Sequence, residues 1–391
     1  MDRPTGYSVF SYGQMVSCEP RMSAYADALR AAVTPGCTVF DIGAGPGVFS
    51  ILACQFGAGS VIAIEPDDSI ELLRRFARDN GYSDRIEIFQ GHSKDYRPSS
   101  MADVIVSDIR GCLPLFEGHI QTIADARQRL LKANGKLIPF RDTIRIAIVY
   151  HPETYLSYEE PWVSNKFGID LIAGHEFAIS TFSKRILDPR DLLSEPKDLA
   201  LLDYGSITDP NLKAVAKLVA ETAGTAHGLL LWFDTELAPG IGFSNAPGEP
   251  QQIYGQTFFP LELPVELTPG DSIEVEIKAN LIDRSYVWSW NSKLFRGSSP
   301  VPEVTYRQSS FHSKLLTKRM LDQRSNRFIP LPTPAQAIDR HCLSLIDGQA
   351  SFGDIAELLA TSFPDDFSNV KEALNHVTGL ASRYDHPGDG A

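Results

Sequence analysis

The 391-residue chain has only five cysteines (Cys18, Cys37, Cys54, Cys112 and Cys342), and none forms a C-x-x-C pair. That scatter argues against a zinc site and against a disulfide scaffold, so no metal is expected. Dense Lys/Arg clusters are also missing and the formal net charge is -13. A general nucleic-acid binder carries a strong basic patch, so nucleic acid is not an expected partner. An acidic surface tolerates a cationic partner well. The N-terminal segment has no uninterrupted apolar h-region, and no apolar run reaches membrane-span length. The sequence therefore predicts no signal peptide, no membrane partner and a reducing cytoplasm. Internal repeats and long low-complexity tracts are absent. What remains is 43% hydrophobic and 22% charged, enough for a sizeable core in two or three domains.

From residue 37 to about 139, strand-like segments (39–42, 61–65, 86–90, 104–108, 136–138) alternate with helical ones (48–56, 69–80, 117–133). Such alternation implies α/β architecture, a parallel sheet with helices on both faces. A further helical pattern precedes it at 21–32. After Pro139 the segments 144–150, 228–237, 256–263, 272–280 and 286–290 look like β-strands between Pro/Gly turns, which suggests a sandwich or barrel. Residues 211–223 stay ambiguous between helix and strand. A mildly basic, Pro-containing linker (311–334) leads to a compact helical segment, 335–382. The expected domains are 1–36 (helical, covering the ligand site), 37–139, 140–310, the linker, and 335–391.

The most informative stretch is Val39-Phe40-Asp41-Ile42-Gly43-Ala44-Gly45-Pro46-Gly47. An apolar strand meets an acid, then glycines at alternate positions, then a helix N-terminus. Gly43, Gly45 and Gly47 let backbone approach a ligand where a Cβ would collide. The G-x-G-x-G spacing differs from the G-x-G-x-x-G of dinucleotide sites. It resembles motif I of the class I S-adenosylmethionine (SAM) methyltransferases. Glu65 ends the second strand, where a carboxylate can accept from both ribose hydroxyls. Asp41 is read as a brace for the loop through backbone N–H groups. Arg21 is the candidate cation for the SAM carboxylate.

Strand 104–107 runs into Asp108, and Glu117 follows nine positions later across a loop containing Gly111 and Pro114. Ligands of open α/β sheets bind at the carboxyl ends of strands. Two neighbouring carboxylates repel unless a cation lies between them, and a guanidinium fits that role bidentately. Alternatives stay open: Asp108 as a general strand-end acid, and Glu117 as a favourable charge at a helix N-terminus.

Asp41–Gly47, Glu65 and the loop from Ser107-Asp108-Ile109-Arg110-Gly111 to Leu115-Phe116-Glu117 resemble the protein arginine N-methyltransferases. The resemblance implies a Rossmann-like SAM domain followed by a β-barrel with a helical dimerisation arm near 171–187, and hence a homodimer. It matches the family's two acceptor-holding glutamates to Asp108 and Glu117. It places Met15 and Arg21 on one N-terminal helix beside the SAM carboxylate. Gly224-Thr225-Ala226-His227-Gly228 and Trp232-Phe233-Asp234 look like a barrel strand, and Trp162 with Phe167-Gly168-Ile169-Asp170 like the start of the arm.

Three departures stand out. Asp108 replaces a glutamate. The family's Thr-His-Trp loop aligns with Gln252-Ile253-Tyr254, so Gln252 and Tyr254 become the acceptor-side candidates. The adenine-contacting glutamate falls near Lys94, after Gly91-His92-Ser93, which leaves Ser93 as the cofactor-side candidate. Together these imply a shifted acceptor: free arginine, another guanidino metabolite, or a dedicated peptide. Leu345-Ile346-Asp347-Gly348 and the helical patterns after it resemble the helical half of small peptide-chaperone domains that bind a leader peptide, although a generic helical cap fits equally. Two other functions remain open, methylation of a non-guanidine metabolite and non-catalytic peptide binding.

Overall fold

The computed structural model describes residues 7–381 and 384. The first and last few positions of the expected terminal domains lie outside these. The chain divides between Leu315 and Leu316 into two compact units.

The first unit opens with α1 (Val9–Val16) and α2 (Glu19–Ala32). The sequence suggested one N-terminal helix carrying both Met15 and Arg21. The chain breaks instead at Ser17 and Cys18, and Pro20 in the first turn of α2 starts a new helix, where its missing N–H costs nothing. Then come β1 (Thr38–Ile42), α3 (Val48–Gln55), β2 (Ser60–Glu65), α4 (Ile70–Asp79), β3 (Ile86–Gln90), β4 (Ala102–Ser107), α5 (His119–Arg129) and β5 (Leu131–Ile138). These strands form an all-parallel sheet in the order β3-β2-β1-β4-β5. Alternate side chains serve opposite faces. Val39, Val61, Ala63, Val104 and Val106 pack with Tyr25, Leu29, Phe49 and Leu73 of the helices on one face. Phe40, Ile42, Ile62, Ile64 and Ile105 pack with Ala126 and Leu130 on the other. The strand order reverses between β1 and β4, so the switch-point crevice opens between their carboxyl ends. One boundary differs from expectation. The helix expected over 117–133 ends at Arg129, because residues 131–138 pair along β4.

The chain continues through β6 (Arg141–Val149), α6 (Pro152–Val163), α7 (Ala173–Ala178), β7 (Ser183–Arg185), β8 (Lys197–Asp203), β9 (Leu212–Val219), β10 (Gly224–Ala238), β11 (Ile241–Ser244), β12 (Gln256–Leu267), β13 (Ser272–Ile282), β14 (Ser285–Phe295) and β15 (Val304–Ser309). One antiparallel sheet runs β7-β12-β10-β6-β8 with β11 on β10, and another runs β15-β14-β13-β9. They share a core that includes Ile146, Leu229, Phe259, Ile277 and Trp290. Trp290 is fully buried, and its indole N–H donates to the Pro260 carbonyl at 2.8 Å. The ambiguous segment 211–223 contributes strand β9. Leu218 and Ala216 alternate into the core while Lys217 and Val219 face out, a period of two that its helix-favouring composition hid.

The second unit holds α8 (Lys318–Gln323), α9 (Pro334–Leu345), α10 (Phe352–Ser362) and α11 (Val370–Ala381). The expected linker thus contains a short helix. Helices α9 to α11 bury Ile338, Cys342, Ile355, Leu359, Val377 and Leu380 together. Ser351 and Asp354 form a reciprocal capping box at α10. Among the described residues, no helix is long and apolar enough to cross a membrane.

Candidate functional site

The glycine turn leaves β1 at the switch point. Gly43, Gly45 and Gly47 have φ of 72°, 52° and 76°. A Cβ on Gly47 would lie 2.1 Å from Leu73 Cδ1, and one on Gly43 2.2 Å from Ile109 Cγ2. Both positions therefore combine left-handed backbone with no room for a side chain. The Tyr12 ring of α1 lies across Gly45, and its hydroxyl donates to Ser69 Oγ at 3.0 Å.

The carboxylate that braces this loop is Glu65. Its Oε2 accepts from Gly45 N and its Oε1 from Asp67 N, each at 2.9 Å. Burial raises the Glu65 pKa, and these two N–H groups oppose the shift. Asp41, read from sequence as the brace, does a different job. It is fully buried and its Oδ2 accepts from Ser50 Oγ at 2.7 Å, which ties β1 to α3. Asp41 Oδ1 has no hydrogen-bond partner among the described residues. Burial pushes this carboxyl up to about 7, against the hydrogen bonds from Ser50.

Asp108 follows β4 directly. Its Oδ2 accepts from Arg21 Nε and Tyr254 OH, each at 2.6 Å. Its Oδ1 accepts from Arg110 Nε at 3.2 Å. Burial alone would raise its pKa, but the Arg21 and Arg110 guanidinium groups and the Tyr254 hydroxyl hold it down to about 2. Arg21 also donates to the Met15 carbonyl at 3.3 Å and lies over the rings of Tyr25 and Phe49. The structure thus brings Met15, Arg21, Asp108 and Tyr254 into one cluster.

The other candidates lie apart from that cluster or at its edge. Gln252 is buried, its side-chain oxygen accepting from the Cys18 thiol at 3.4 Å. Ser93 is buried in the loop after β3, and its carbonyl accepts from Arg129 Nη2 at 2.6 Å. Glu117 stays exposed at the end of the acid loop, with a φ of 41°. Partial burial raises the Tyr7 pKa, and the fields of Cys112, Glu117 and Asp108 raise it further.

Comparison with known proteins agrees with this layout. Residues 144–291 match the arginine methyltransferase oligomerization subdomain, and residues 24–139 match the ribosomal protein L11 methyltransferase family. A probable protein arginine N-methyltransferase 6 of Arabidopsis thaliana is 27% identical over 234 residues, 58% of this chain and 54% of that protein. Protein arginine N-methyltransferase 2 of Mus musculus is 28% identical, over 66% of this chain and 62% of its own length. An arginine N(omega)-methyltransferase of Streptomyces achromogenes subsp. streptozoticus is 28% identical, over 67% of this chain and 74% of its own. The chain therefore spans little more than half to three quarters of these relatives. The Trypanosoma brucei PRMT1 enzyme-prozyme heterotetrameric complex with AdoHcy superposes with a TM-score of 0.70 at 21% identity, covering 76% of this chain and 97% of that one. Arabidopsis thaliana protein arginine methyltransferase 10 gives 0.69 at 20% identity, covering 77% and 97%.

The chain is arginine methyltransferase-like.

In this methyltransferase-like frame the sequence reading missed the polar network that Arg110 builds behind Asp108. Arg110 is wholly buried and donates to Asp142 at 2.8 Å, to Thr235 at 2.7 Å and to Tyr25 OH at 2.7 Å. Asp142 accepts in turn from Tyr204 OH at 2.5 Å. His119, beside Tyr204, is pushed down to about 3 by burial and by Arg110, so its ring is neutral near pH 7. Arg110 stood in plain view in the acid loop. Nothing local to the sequence says that it turns inward.

Proposed function

We propose that this chain transfers a methyl group from SAM to a guanidino nitrogen of an arginine-type acceptor. The observation carrying the reading is the position of the acid loop, which leaves β4 at the switch-point crevice beside the glycine turn of β1. The residues present suit SAM. Glu65 offers a largely buried carboxylate for ribose hydroxyls, Asp41 Oδ1 lacks a partner among the described residues, and Arg21 supplies a cation for the amino-acid carboxylate. Met15, Gly43, Gly45, Gly47 and Ser93 complete the candidate set. When bound, SAM supplies a methyl group already activated on a sulfonium.

The chain's part is then positioning, since the leaving group needs no further activation. Glu117 holds and orients the acceptor guanidinium from the crevice mouth, and a carboxylate or water takes the proton released. Asp108 fixes Arg21, and Tyr254 and Gln252 wall the interior side. The acceptor class favoured is free arginine, a guanidino metabolite or a dedicated peptide, because Asp108 is shorter than glutamate and both its oxygens already have donors. That same saturation of Asp108 favours, as a second reading, a non-guanidine acceptor.

A homodimer is supported by Phe167, Ile169, Ile172 and Phe177, exposed apolar residues in and just before α7. All five cysteines carry free thiols, which suits a reducing cytoplasm. The deciding experiment incubates the protein with labelled SAM and L-arginine, an arginine-containing peptide, or a panel of amines and alcohols, followed by mass analysis. Methylated arginine is expected. Methylation confined to the panel would replace this reading with the second.

A further inference from the structure

Arg110 is a guanidinium already lodged among carboxylates and aromatic rings. Its Nε donates to Asp108 and its Nη1 to Asp142, and its side chain has no exposure. The rings of Phe233, Phe243, Tyr254 and Tyr25 lie 5.3 to 5.9 Å from its guanidinium carbon. Cations beside ring faces are attracted to them, and more strongly where water is excluded.

The buried cluster balances: Arg21 and Arg110 face Asp108 and Asp142. Asp108 shares its single charge between two guanidinium groups, and its side chain is only 4% exposed. Its Oδ2 accepts two bonds and its Oδ1 one. A third guanidinium brought to Asp108 would meet a region with no net negative charge and would have to displace a charge-assisted bond. Glu117, in contrast, is exposed and has no salt-bridge partner among the described residues.

We propose that Arg110 is a positioning residue that holds Asp108 inward as the anchor of Arg21, so that Glu117 alone supplies the net negative charge that recognises the acceptor. This inference rests on the guanidino reading and specifies it. The two acids divide the work: Asp108 serves the cofactor side through Arg21, and Glu117 serves the acceptor. The acceptor site then behaves as a one-acid site, which suits a small guanidino compound presented at the crevice mouth.

The test compares wild type, Glu117→Gln, Asp108→Asn, the paired replacement Arg110→Met with Asp142→Asn, and that pair combined with Glu117→Gln. The pair removes one buried charge of each sign, so neither is left alone. Melting temperature, SAM affinity by titration calorimetry, and KM and kcat with L-arginine and an arginine-containing peptide are measured. Glu117→Gln is expected to raise the acceptor KM about tenfold and leave SAM affinity unchanged. Asp108→Asn is expected to weaken SAM about tenfold, with an acceptor KM at saturating SAM within about threefold of wild type. Without Arg110, Asp108 Oδ1 loses its donor while Oδ2 stays with Arg21 and Tyr254, so the opened Oδ1 accepts from the acceptor and the combined variant recovers about fivefold in KM over Glu117→Gln alone. A combined variant that melts and binds SAM like wild type, yet shows no recovery, overturns the proposal. So does an Asp108→Asn variant whose acceptor KM rises while SAM binding holds. Wild-type protein that binds SAM but methylates no guanidino compound would instead overturn the guanidino reading, and the inference with it.

Discussion

Arg21 and Asp108, 87 positions apart in the chain, meet at 2.6 Å with side chains only 8% and 4% exposed. This pair fastens α2 across the carboxyl end of β4, and so closes the N-terminal helices over the glycine turn. Removing one partner of a buried ion pair leaves an uncompensated charge. Arg21→Met is therefore expected to destabilise the protein by about 3 kcal/mol, less than a fully orphaned charge would, because Arg110 and Tyr254 still bond Asp108. Chemical denaturation measures the loss, and calorimetry should show weaker SAM binding in the same variant.

Glu117 has the opposite character. It is exposed and holds a left-handed φ of 41°. A non-glycine residue in that region costs about 1–2 kcal/mol, and glycine's own entropy returns about half of that. Glu117→Gly is thus expected to stabilise the fold by about 0.5 kcal/mol while methyl transfer to a guanidino acceptor falls. A variant both less stable and fully active would contradict both parts.

Gly47→Ala should damage the loop directly. The added Cβ would sit at a φ of 76° and 2.1 Å from Leu73 Cδ1. Strain and overpacking together predict a loss of about 2–4 kcal/mol. Thermal unfolding reads the stability change, and SAM titration reads the displaced turn.

Stability should depend on pH through Asp41. Its carboxyl sits near 7 in the folded chain, raised first by burial, while the unfolded group keeps its ordinary value near 4. The folded state therefore binds the extra proton. Its stabilisation is complete below roughly pH 4 and is lost as pH rises toward roughly pH 7. The whole window is worth on the order of 4 kcal/mol. Denaturation curves across that range should fall with pH in wild type, and Asp41→Asn should flatten them. Asp108 runs the other way: depressed to about 2 by Arg21 and Arg110 against the effect of burial, it stabilises above its unfolded pKa and loses that contribution in strong acid.

The parallel sheet was legible because its signals are local. The alternation of Val39, Phe40, Asp41 and Ile42 assigns faces by period, and three alternate glycines mark a turn that only glycine can make. Strand β9 stayed open between helix and strand on composition, because helix-favouring residues such as Lys213, Ala214, Ala216, Lys217 and Leu218 are held extended by pairing with β13. Nor was the end of α5 at Arg129, since the strand after it forms only against β4.

In the site, the sequence determined which residues stand at the carboxyl ends of β1, β2 and β4: the glycines, Glu65 and Asp108. Strand length and turn chemistry fix those placements within a few residues of chain. Only the tertiary structure decided which charges meet. Arg110 finds Asp142, Tyr25 and Thr235 at separations of 32, 85 and 125 positions. Those partners converge because β6, β10 and α2 pack around one buried polar cluster. Excluding water from it makes every unpaired charge costly, and this selects the pairing.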